Sequence, residues 1–113
     1  MASKTLVQIS IYLPRYYNPE AKGPKRRRVE PGKFSQTYEE VMAQFGAYSL
    51  IKNVEGVWVD QKGTRFKDWH HLLIVVAENT PQTRRWLRHF KSRLEGRFRQ
   101  KEIFISVLQV SKI

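Results

Sequence analysis

Between Asp60 and His71 the chain places two carboxylates and two imidazoles, Asp60, Asp68, His70 and His71, within twelve residues. These side-chain types hold divalent cations or relay protons, so a metal site or a general base is the first chemistry to weigh. The spacing argues against both. If Gln61 to Gly63 form a hairpin tip, Asp68 lies opposite Gly56, four positions from Asp60, which is about 13 Å at the rise of a strand. Two carboxylates that far apart do not share one ion. Adjacent histidines on a strand point to opposite faces, so only one of His70 and His71 can join such a cluster. The expectation is a hydrogen-bonded histidine at a strand entrance, with no catalytic and no metal-ligating residue assigned. A metal-dependent nuclease built on Asp60, Asp68 and His70 stands as a third reading. His89, set among arginines, reads as surface.

The second chemistry is charge. The chain carries a formal net charge of +11, and nearly all of the excess falls in two stretches. Residues 15–33 hold seven basic groups against Glu20 and Glu30, and residues 80–101 hold eight against Glu95. A positive field confined to one loop and one helix attracts polyanions and speeds their association, and nucleic acid is the commonest of these partners. The residues expected to contact phosphates are Arg15, Lys25, Arg26, Arg27 and Arg28 in the loop, with Arg84, Arg85, Arg88 and Lys91 on the helix. Tyr16 and Tyr17 beside the first group, and Trp86 within the second, could stack on bases or could pack in the core. Lys25-Arg26-Arg27-Arg28 also matches a nuclear localisation signal, a pattern met often by chance.

Other signatures are missing. The sequence has no glycine-rich phosphate loop, nucleophile elbow, paired-histidine zinc motif or calcium loop. It has no Cys, which removes disulfides, thiolate metal sites and cysteine nucleophiles together. The reading is of a non-catalytic protein with no cofactor. No apolar run approaches the roughly 20 residues that span a bilayer, and the first residues lack a basic segment followed by an apolar one. A cytoplasmic address without membrane contact is expected.

The elements that position these residues follow from apolar spacing. A chain of 113 residues with 41% apolar content can bury one core. One domain over residues 1–113 is expected, with a basic loop at about 15–33. Leu6 to Leu13 alternates, with Val7, Ile9, Ile11 and Leu13 on one side, as in a half-buried strand. Thr37 followed by Glu40 reads as a capping box that starts a helix with Tyr38, Val41, Met42 and Phe45 inward, ended by Gly46. Gly56 to Val59 and Leu72 to Ala77 read as an antiparallel pair joined at Asp60 to Gly63. The second of these is apolar on both faces, the pattern of a central strand. Asn79-Thr80-Pro81 opens a second helix with Leu87, Phe90, Leu94 and Phe98 inward. Ile103 to Val110 is the last strand.

The order strand, helix, strand, strand, helix, strand predicts an α+β, ferredoxin-like βαββαβ sandwich: a four-stranded antiparallel sheet with two helices on one face. Its other face would be left bare and rich in large aliphatic side chains, which predicts a homo-oligomer packed through the sheet. An RNA-recognition motif is excluded, because the third strand lacks the required aromatic and glycine pattern.

The segments YLP-x-YY, QFG, GVWVD-x-x-G and RLEGRFRQKEIFI, spread over most of the chain, resemble small bacterial ferredoxin-like proteins of uncharacterised function, some broadly similar to PII-type regulators. The resemblance implies the fold and oligomerisation, and no binding residues. PII proteins carry a long signalling loop between the second and third strands, whereas the turn here is short.

Two function classes therefore lead. One is a nucleic-acid-binding or accessory protein that contacts phosphates through the loop and the helix-two face. The alternative is an oligomeric, PII-like regulator that binds a small anionic ligand or a protein partner in a cleft between subunits.

Overall fold

A computed structural model describes residues 5–18 and 26–113. The elements follow in the order β1 (Leu6–Pro14), α1 (Pro31–Phe45), β2 (Ser49–Val59), β3 (Arg65–Glu78), α2 (Pro81–Arg97) and β4 (Ile105–Val110). The strands form one antiparallel sheet in the order β2-β3-β1-β4. This is the ferredoxin-like arrangement expected from the element order.

The alternation read in β1 decides which side of the sheet is covered. Val7, Ile9, Ile11 and Leu13 are buried, and the register sets them beside Ala77, Val75, Leu73 and His71 of β3. The helices close this side with Val41 of α1 and Leu87, Phe90 and Leu94 of α2, while Phe98 and Ile103 seal the end of the layer. Burying such side chains contributes about 1.5–3 kcal/mol each before chain entropy is charged against it.

Helix α1 departs from the sequence reading. It begins six residues earlier than the expected capping box, at Pro31, whose fixed φ suits the first helical position. Glu30 before it is extended (φ −62°, ψ 137°), the conformation a following proline favours, and its side chain makes no cap bond. Thr37 is not a cap. It is fully buried in mid-helix, where its hydroxyl donates to the Lys33 carbonyl at 2.7 Å and accepts from Arg97 at 2.8 Å. Glu40 likewise turns away from the helix start and pairs with Arg93 and Arg97 of α2. Met42, expected inward, is 46% exposed. The helix does end at Gly46, whose φ of 79° is the left-handed cap geometry that glycine adopts without a Cβ clash. The basic segment between β1 and α1 is accordingly shorter than residues 15–33, since Pro31 to Lys33 belong to the helix.

The second strand also exceeds its expected span, starting at Ser49 where the reading began at Gly56. A bulge between Ile51 and Val54, with Asn53 at φ 61°, interrupts the ladder and hid the first half from a period-two reading. The last strand is shorter and starts at Ile105. Helix α2 begins as expected: Thr80 Oγ1 accepts the Thr83 backbone N–H at 3.0 Å, with Pro81 at the first turn.

No element of the described chain covers the second face of the sheet. Tyr12, Leu72, Ile74, Val76, Ile51, Trp58, Phe66, Phe104 and Leu108 share it, and six of them are at least 37% exposed.

Candidate functional site

The hairpin carboxylates have local employment. Asp60 closes the β2–β3 turn, its Oδ1 accepting the backbone N–H groups of Lys62 at 2.8 Å and Thr64 at 2.9 Å, with Gly63 at φ 82°. Asp68 lies opposite Gly56, as the spacing required. Its Oδ2 accepts the Trp58 indole N–H at 2.7 Å, and its Oδ1 pairs with Arg26. His70 and His71 occupy opposite faces: His70 meets Tyr12 on the bare side, and His71 meets Phe34 on the helix side. Among the described residues no group of three potential metal ligands comes together.

The basic segment after β1 folds back on itself. Tyr17 N–H donates to the Arg27 carbonyl, Val29 N–H to the Arg15 carbonyl, and Tyr16 bridges Arg28. Buried Tyr17 anchors this small ladder, its hydroxyl lying between Glu30 and Lys33. That contact with Tyr17 does most to hold the Glu30 carboxyl down at about 2. Arg26 fastens the ladder to the hairpin through Asp68. Three guanidiniums, those of Arg15, Arg26 and Arg28, stand 5.6–6.0 Å from the Tyr16 ring. Lys25 lies outside the described residues.

The remaining predicted cations are scattered. On α2, Arg84 bonds Asn79 at 2.8 Å, and Lys91 is engaged by the Ile103 carbonyl at 2.7 Å and by Glu95 and Glu102. Arg85 and Arg88 remain exposed. Arg84, Arg88 and Lys91 share a shallow groove of about 170 Å³ against Ile105 and Val107, whereas Arg85 faces a different hollow beside Trp86 and His89. Trp86 packs between Phe45 and Phe90.

A larger concavity, of about 510 Å³, opens on the helix side between the first turns of α1, the Arg28–Glu30 segment and the β2 bulge. Arg15, Arg28, Lys52 and His71 surround it, with Phe34 and Tyr38 forming an aromatic wall. Sequence reasoning singled out Arg15 and Arg28 as cations, weighed His71 only for a metal or base at the hairpin, and missed Phe34, Tyr38 and Lys52. Lys52 reaches the cleft from the bulge, whose one signal in the sequence is Asn53, a residue type tolerant of positive φ, inside a strand. Burial lowers the proton affinity of His71, and the positive charges of Arg15 and Lys52 lower it further. Burial likewise raises the Tyr38 phenol. Both rings are therefore neutral near pH 7, and the cleft's fixed positive charge comes from Arg15, Arg28 and Lys52.

Fold and cleft together define an α+β sandwich with an uncovered sheet face and a cationic hollow beneath its helix layer. The solved structures it is similar to include CutA1 from Oryza sativa (TM-score 0.63, 9% identity, covering 98% of this chain and 84% of that one). They also include the divalent ion tolerance protein CutA1 from Ehrlichia chaffeensis (TM-score 0.61, 9% identity, covering 99% and 87%). At this identity the likeness is one of fold. No family model and no curated protein matches the sequence.

Proposed function

We propose that this chain is a homo-oligomeric, PII-like regulatory module, non-catalytic, that binds a small anionic ligand. The observation that carries the reading is the composition of the bare sheet face. Its strand positions hold large apolar side chains interspersed with Gln8, Ser10, Asp68, Glu78 and Ser106, and no Lys or Arg, in a chain whose net charge is +11. Copies so strongly charged repel one another, and a face whose strand positions carry no cation, and where the Arg26 guanidinium that reaches it is already paired with Asp68, is where they can approach. Similarity of fold to the CutA1 structures supports an oligomeric regulator over a nucleic-acid-binding protein. So does the engagement of Arg84, Lys91, Arg93 and Arg97 within the chain itself, which leaves α2 with few free cations for phosphates.

The test is the solution mass by size-exclusion chromatography with light scattering. The wild-type protein is expected at two or more times the chain mass at micromolar concentration. Leu108→Asp and Val76→Asp, each placing a carboxylate on an exposed position of the face, should weaken association at least tenfold, about 1.4 kcal/mol or more, with the far-ultraviolet circular dichroism unchanged. A wild-type monomer at 100 micromolar would overturn the oligomeric reading.

A further inference from the structure

Three positive side chains around the helix-side cleft arrive from three separate segments. Arg15 follows β1, Arg28 belongs to the return of the basic ladder, and Lys52 stands on the bulge of β2. Among the described residues none of the three has a carboxylate within ion-pair distance, although Arg26, Lys67, Lys91, Arg93 and Arg97 all do. The one acidic group on the rim, Glu30, is already engaged by Tyr17 and Lys33. Gathering unpaired cations costs free energy through mutual repulsion, and an anion between them removes that cost.

We infer that this cleft is a binding site for a phosphorylated small molecule, its phosphate groups held by Arg15, Arg28 and Lys52 and its organic body lying on Phe34 and Tyr38. This rests on the small-anion part of the function proposed above and names its ligand class. Three cations with no free carboxylate to offset them match a ligand of two or more negative charges, which favours phosphate esters and diphosphates over monocarboxylates. Guanidiniums present paired N–H donors to tetrahedral oxyanions, and an ammonium adds a point charge from another direction. The volume of about 510 Å³ exceeds what a bare phosphate fills and falls in the range of small-molecule sites. The aromatic wall is fixed: Phe34 packs edge-on to His71 at 4.9 Å and to Phe98 at 5.3 Å, so it needs no rearrangement to receive a ligand. The site lies on the opposite side of the sheet from the bare face, within a single chain. The sequence reading had placed the ligand between subunits.

Isothermal titration calorimetry of the full chain with pyrophosphate, ADP and acetate tests the assignment. Pyrophosphate and ADP should bind with ADP the tighter, and acetate should not bind. Lys52→Ala and Arg28→Ala should each weaken ADP at least tenfold, while Arg85→Ala, on the far helix, should leave it within twofold. Absence of binding by both phosphates at millimolar concentration overturns the inference. Equal weakening by Arg85→Ala also overturns it, because the interaction would then be a diffuse response to net charge. Repeating the titration with Leu108→Asp separates this inference from the oligomeric one: binding retained by a monomer supports the cleft even where self-association fails.

Discussion

At the scale of single residues, Asp68 and His71 show how position converts ordinary groups into specialised ones. Asp68 is one carboxylate between two donors, the Trp58 indole and the Arg26 guanidinium, with its side chain and that of Arg26 each less than a third exposed. Replacing it with Asn keeps the shape and removes the charge, so Asp68→Asn should cost about 1–3 kcal/mol in chemical denaturation. The loss should be non-additive with Arg26→Ala, which a double-mutant cycle reads directly. For His71 the sign runs the other way from a salt-bridged histidine. Burial first, then Arg15 and Lys52, lower its proton affinity in the folded chain, so between its folded value and the ordinary 6.5 the unfolded chain binds more protons. Stability is therefore whole above pH 6.5 and declines below it. His70 adds the same sign, because burial and Arg26 outweigh the opposing pull of Asp68. A melting temperature lower at pH 5.5 than at pH 7.5, with part of the difference abolished in His71→Gln, is the expected result. A flat profile over that range would remove the burial argument for both imidazoles.

At the scale of elements, the two helices are joined by an ion cluster as well as by apolar contact. Glu40 of α1 sits between Arg93 and Arg97 of α2, and Arg97 also donates to buried Thr37. Burial alone would raise the Glu40 carboxyl, but the two guanidiniums override it and hold the carboxyl below its usual value. Its contribution is present above about pH 4.5 and is lost as pH falls further, whereas the histidine contribution begins to fall already below pH 6.5. Removing the carboxylate strands Arg97, whose side chain is only 8% exposed. Glu40→Ala should therefore destabilise by about 3 kcal/mol in thermal or urea unfolding, and Glu40→Gln by less. The same cluster explains why the start of α1 was misplaced from sequence. Thr37 and Glu40 have the spacing of a capping box, yet both are committed to α2, a partner more than fifty residues away in the chain. Pro31, the actual start, was legible as a helix-opening residue only once Arg27 to Val29 were known to pair back onto Arg15 to Tyr17.

At the scale of the whole molecule, the apolar sheet face and the cationic cleft lie on opposite sides of one sheet, so the proposed assembly and the proposed ligand site should respond to substitution independently. The paired titrations of wild type and Leu108→Asp depend on that separation.

What the sequence determined by itself is the order and type of elements, the covered face of β1, the inner stripe of α2 and the opposition of Asp68 to Gly56. These follow from local periodicity, capping chemistry and strand rise, which act over a few residues. Only the tertiary structure decided that Lys52 and His71 join Arg15 and Arg28 around one cleft, because a bulge in β2 and a ladder closed by Tyr17 bring together segments distant in the chain. Charge counting located the cations and could not say which were already paired. That division depends on distances of a few ångströms between residues as far apart as Arg26 and Asp68, and no period in the sequence encodes it.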